Sequence, residues 1–132
     1  MNYREPVRSE VLVVAFNSHL FGMNPATGQR IWERTIPTGY PRLYVSTDRV
    51  VVLAQTLSCF DLATGSPIWE NPAIGDTLLS DGVHVFTGGT GEVFCVLLAD
   101  GRTLWHDGFK GKGLSPVSLG IPGAVAQLDR NQ

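Results

Sequence analysis

Short apolar runs recur along the chain, four to six residues long and rich in Val, Leu and Phe: Val11 to Phe16, Val50 to Ala54 and Val83 to Thr87. Each is followed, after a few residues, by a shorter run: Leu20 to Met23, Leu57 to Phe60 and Val93 to Val96. Between them lie stretches dominated by Gly, Asn, Asp, Ser and Thr. Runs of this length and composition predict strands, because a helix would need apolar positions three and four apart sustained over ten or more residues.

The runs belong to a larger repeat. Asn24-Pro25-Ala26-Thr27-Gly28-Gln29-Arg30-Ile31-Trp32 aligns with Asp61-Leu62-Ala63-Thr64-Gly65-Ser66-Pro67-Ile68-Trp69, and then with Leu97-Leu98-Ala99-Asp100-Gly101-Arg102-Thr103-Leu104-Trp105. A fixed period in this range marks a repeat architecture, in which one supersecondary unit is copied and stacked. Gly39, Gly75 and Gly111 follow the three tryptophans at similar intervals, where the chain would pass from one unit to the next. Within the second unit four antiparallel strands are expected, at Arg42 to Ser46, Arg49 to Ala54, Leu57 to Phe60 and Pro67 to Glu70. The Ala-Thr-Gly triplet suits the third turn, which closes on a residue at positive φ that glycine adopts without a Cβ penalty. Each tryptophan then falls on the outermost strand, where burying its ~150–250 Å² contributes up to about 4–6 kcal/mol. Gly28, Trp32, Gly65, Trp69, Gly101 and Trp105 are thus the structural positions of the repeat.

These residues resemble the pyrroloquinoline-quinone-like (PQQ-like) β-propeller repeat, whose blades end in Ala-x-Asp-x-x-Thr-Gly-x-x-x-Trp. Thr27-Gly28 with Trp32 and Thr64-Gly65 with Trp69 carry the second half of that pattern. Asp61 supplies its aspartate, and Asp100-Gly101 replaces Thr-Gly in the third copy. The resemblance implies an all-β fold of four-stranded antiparallel blades. The units are expected at about 3–39, 40–75 and 76–111, with a partial blade at 112–132 in which Leu114 to Leu119 and Gly123 to Gln127 match the first two strands. A ring normally takes four to eight blades, so one chain leaves it incomplete and exposes sheet edges and a blade face that proteins usually cover. Closure by self-association is therefore expected, a homodimer of six or seven blades being favoured and Leu114 to Gln127 reaching across the junction. A separate protein partner supplying the missing blades is the competing expectation. The start at Met1 favours a natural terminus over a truncated one.

Composition narrows the classes of function. The chain has 132 residues, 17% charged, with a formal net charge of -2. Lys110 and Lys112 are its only lysines and its arginines are scattered, so no basic stripe offers phosphate neutralisation and no nucleic-acid partner is expected. No apolar run reaches the length of a membrane span, and Met1 to Glu10 is polar where a secretory leader is apolar. Those features, with two cysteines not expected to be bridged, place the chain in the cytoplasm. Cys59 and Cys95 fall at equivalent positions of adjacent units. Face-packed sheets lie about 10 Å apart, beyond the ~7 Å between Cα atoms that a disulfide tolerates.

Catalytic chemistry is sparse. His19 in the turn before the strand at Leu20, His84 within the strand Val83 to Thr87 and His106 directly after Trp105 occupy different repeat positions, and their spacing does not match a metal-ligand motif. Thr87-Gly88-Gly89-Thr90-Gly91-Glu92 is glycine-rich, but the apolar run after it continues as a strand, whereas a phosphate cradle needs a helix there. A lengthened hairpin turn is the expected structure. Ser46-Thr47-Asp48 and Ser80-Asp81-Gly82 read as turns between strands. PQQ binding, which the resemblance raises, calls for a vicinal cysteine pair and a calcium site of clustered carboxylates and asparagine, and neither can be assembled here. No catalytic, metal or cofactor site is assigned. The expected function is a non-enzymatic protein-binding scaffold with Tyr40, Arg42 and Tyr44 as its partner surface, because aromatics and arginine dominate interaction hot spots. A PQQ-dependent or small-molecule enzyme with its site in the channel is the alternative.

Overall fold

The structure, a computed structural model, describes residues 10–127. Every element among them is a strand: β1 (Leu12–Phe16), β2 (His19–Met23), β3 (Arg30–Thr35), β4 (Arg42–Val45), β5 (Arg49–Ala54), β6 (Thr56–Asp61), β7 (Pro67–Asn71), β8 (Thr77–Ser80), β9 (His84–Gly89), β10 (Glu92–Leu97), β11 (Thr103–Asp107), β12 (Leu119–Ile121) and β13 (Ala124–Ala126). They form antiparallel sheets in simple sequence order: β1-β2-β3, β4-β5-β6-β7, β8-β9-β10-β11 and β12-β13. Each four-stranded sheet is one propeller blade, and the blades do not close a ring. Blade one has three strands among the described residues; the strand expected before them, near Tyr3, lies outside those residues, as does the end of the partial blade.

The strand β5 shows why the blades stack. Its side chains alternate in direction, so Val50, Val52 and Ala54 enter a core with Leu20, Trp32, Ile36 and Phe60, while Val51 and Leu53 enter a second core with Leu57, Cys59, Trp69, Val85 and Val96. One strand thus serves both interfaces of the central blade, which explains an unbroken apolar run where a one-sided sheet would alternate. The inner strands β4 and β8 lie against each other, and β12 and β13 pack on β8.

Three expectations need correction. Thr87, Gly88 and Gly89 are part of β9, which pairs Gly89 with Glu92, so the turn is only Thr90-Gly91. Both turn residues take positive φ, 54° and 74°, the geometry that joins twisted strands in two residues. His19 is not in a turn but opens β2, opposite Phe16. The partial blade is also less regular than its alignment suggests: 114–118 forms no strand, and β12 and β13 pair over three residues each. That stretch instead folds back on its own chain, where Ser115 and Val117 accept hydrogen bonds from Gly91 N (2.8 Å) and Thr77 Oγ1 (2.8 Å). The arm expected to cross a junction therefore lies against blade three.

Candidate functional site

The third turn of each blade is one structure written with different residues. The amide of Gly28 donates to Asn24 O, that of Gly65 to Asp61 O and that of Gly101 to Leu97 O, each at 2.8 Å. The three glycines share φ values of 77°, 75° and 80°. The side chain of Asn24 or Asp61 closes the turn with an Asx bond, accepting from Ala26 N at 2.8 Å and from Ala63 N at 2.9 Å. Leu97 cannot accept such a bond. Asp100 keeps the other side-chain bond of this turn, accepting from Arg102 N at 3.1 Å as Thr64 Oγ1 accepts from Ser66 N at 3.2 Å.

These turns are sockets for tryptophan. The indole of Trp32 lies on the turn of blade two and donates from Nε1 to Leu62 O at 2.8 Å; Trp69 does the same to Leu98 O of blade three, also at 2.8 Å. A methyl group on Gly65 would come within 2.6 Å of the Trp32 ring, and one on Gly101 would collide with Trp69. Glycine is thus required twice over, by its φ and by the flat ring lying on it. A second bond crosses each joint two residues beyond the tryptophan. Arg34 donates to Gly65 O, and Asn71 donates to Gly101 O at 2.7 Å and to Thr103 Oγ1 at 3.0 Å.

The ends of the array depart from this pattern. Trp32 and Trp69 are 8% and 9% exposed, but Trp105 is 49% exposed. The sequence predicts all three to be buried; Trp105 is not, because no turn of a further blade lies over it. It tilts against Phe86 of its own blade, ring centroids 6.2 Å apart. At the other end, a methyl group on Gly28 would meet no atom within 4 Å. Sequence reasoning gave both residues a packing role and missed their openness, since the repeat motif is the same whether or not a neighbour is present.

The residues chosen as a partner surface are divided by the fold. Tyr40 precedes β4 and is 90% exposed. Arg42 opens β4 and donates to Asp76 O at 2.9 Å, tying blade two to blade three. Tyr44 packs against the core of Val51 and Leu53. Residues 41–43, 76–78 and 125–127 line a cleft of about 580 Å³ beside these inner strands.

The histidines stay apart. His19 stacks on Phe21 in blade one; His84 and His106 belong to blade three. His84 Nδ1 lies 2.9 Å from Asp81 Oδ2, and the backbone amide of His84, its ring and the amide of Val83 together hold the Asp81 carboxyl down at about 2. His106 stacks on Phe94 at 4.2 Å and meets Glu92 Oε1 at 2.6 Å. Among the described residues no three His, Cys, Asp or Glu side chains come together as a metal site. Cys59 and Cys95 are buried, unbridged and on different blades. Burial pushes the Cys59 thiol up to about 11, against a smaller opposing effect of Arg49, and raises Cys95 as well. These residues do not fit a quinone cofactor and its calcium ion.

The family model described as outer membrane protein assembly factor BamB matches residues 2–107. The chain belongs to that family. Among solved structures it is similar to BamB from Moraxella catarrhalis, with a TM-score of 0.61 and 20% identity over 83% of this chain. It also resembles a europium-containing methanol dehydrogenase, with a TM-score of 0.56 and 15% identity over 73% of this chain. The chain spans 33% of the first structure's length and 22% of the second's. At such identities the likeness concerns the fold. No curated protein matches.

Proposed function

We propose that this member of the BamB family is a non-enzymatic scaffold whose propeller blades bind protein, with the ring completed by a second copy of the chain in a homodimer. The observation that carries the reading is the open face of blade three, where Trp105 stands exposed at a position that is covered in the other two blades. An uncovered apolar joint invites a macromolecular neighbour. The family description, an assembly factor, supports the same class of role. Cytoplasmic placement belongs to this proposal and is supported by two buried, unbridged thiols, which suit a reducing compartment.

Tyr40 and Arg42 are the surface residues we assign to a protein partner. Tyr44 is set aside because its removal would disturb the core. The double variant Tyr40→Ala/Arg42→Ala is expected to lose a partner that the wild-type chain captures, with a thermal midpoint lowered by no more than a few degrees. A variant that captures the partner unchanged would overturn that assignment. Titration with PQQ and calcium, followed by tryptophan fluorescence, tests the class of function: saturable quenching would replace the scaffold reading with a cofactor-dependent one.

A further inference from the structure

Two joints inside the chain define what a third must look like. In each, an indole covers a turn glycine and donates to the carbonyl of the residue three positions before that glycine. In each, the side chain two residues after the tryptophan donates to the glycine carbonyl. In the second joint it also reaches the residue two positions after the glycine, as Asn71 reaches Thr103.

Among the described residues, one half of such a joint is uncovered at each end of the array. Trp105 is a plug without a socket, and the turn of Gly28, with the carbonyl of Pro25 in the position of Leu62 and Leu98, is a socket without a plug. The flanking residues decide the occupant. Asp107 stands where Arg34 and Asn71 stand, but it is acidic and cannot donate to a carbonyl. Arg30 stands where Pro67 and Thr103 stand. Its side chain is exposed, over Phe21 at 5.0 Å and only loosely paired with Glu33 at 3.8 Å. The acid on the plug therefore faces a base on the socket, with the donor moved to the other side of the joint.

We propose that Trp105 of one copy docks on the Gly28 turn of a second copy, with its indole donating to Pro25 O and Asp107 pairing with Arg30. The contact is head-to-tail, so two copies related by a twofold axis make it twice. The proposal rests on the oligomeric reading above and names its joint. It engages β11 and the β2–β3 turn, at the opposite end of the sheet from β8, where β12 and β13 pack.

Sedimentation equilibrium on the 132-residue chain tests it. The wild type is expected to self-associate at micromolar concentration, and Trp105→Ala, Arg30→Glu and Asp107→Arg each to raise the dissociation constant tenfold or more. All three side chains are exposed, so circular dichroism, and the thermal midpoint at concentrations where the wild type is monomeric, should stay close to wild type. The double variant Arg30→Glu/Asp107→Arg is expected to recover association, and a mixture of the two single charge variants to form heterodimers with one native and one charge-reversed joint. A wild type that remains monomeric would overturn the oligomeric reading and this joint with it. Association that persists undiminished in Trp105→Ala and Arg30→Glu would overturn the joint alone, and a double variant as weak as the singles would remove the second copy as its partner.

Discussion

At the scale of single residues, one backbone conformation serves two purposes that mutation can separate. Gly28 and Gly65 have nearly the same φ, so alanine at either costs about 1–2 kcal/mol for a left-handed backbone. Only at Gly65 does the added methyl group also strike the ring of Trp32. In urea titrations of the monomeric chain, Gly28→Ala should lose about that amount and Gly65→Ala at least about 2 kcal/mol more, in the range of a disrupted core contact. Equal losses would mean that the indole gives way freely. Asp81 offers a second residue-scale test. Its folded carboxyl titrates at about 2 instead of 3.8, so the turn it holds gains stability above 3.8 and loses it as pH falls through about 2. The amide resonances of Val83 and His84 should shift with that midpoint in an acid titration, and Asp81→Asn should abolish the transition.

At the scale of elements, what the sequence reveals depends on whether a signal is local. Strands such as β5 are legible because β-branched runs and turn formers act on the chain where they stand. The third turns are legible for the same reason, and the replacement of Thr64 by Asp100 in the equivalent position keeps the hydrogen bond. The reach of β9 through Gly88 and Gly89 was hidden, since glycine promotes turns locally while the pairing that holds it extended comes from β8 and β10. Tyr44 lies two residues after Arg42 on β4 and so shares its face, and nothing in that spacing tells whether this face meets a neighbouring blade. The two buried, unbridged cysteines make a prediction for elements β6 and β10. Both thiols have pKa values raised by burial, so their protonated forms stabilise the fold fully below the ordinary 9.0, and that stability is lost as pH rises, for Cys59 through about 11. Alkylation at pH 8 should be negligible in the folded chain and complete in denaturant. Rapid modification of Cys59 under native conditions would show that β6 opens locally.

At the scale of the whole molecule, stability in a stacked array is a sum of units and the interfaces between them, so a unit with two neighbours opens last. Blade two meets a core on each side, and all of Val50 to Ala54 is buried between them. Blade three shares only one of these cores, and its outer strand β11 is exposed along its length. The hairpin β12–β13 has three-residue strands and contributes to neither core. Native-state hydrogen exchange on monomeric chain should therefore rank the amides: β5 and β6 slowest, exchanging only through global unfolding, β9 and β10 intermediate, and β12 and β13 fastest. Association through the Gly28 turn and Trp105 gives the end blades a second interface each, so raising protein concentration should slow exchange in β2, β3 and β11 while leaving β5 governed by global unfolding. Equal protection across the sheets at low concentration would mean that the blades unfold as one block, and the two-sided burial of β5 would then have no energetic consequence of its own.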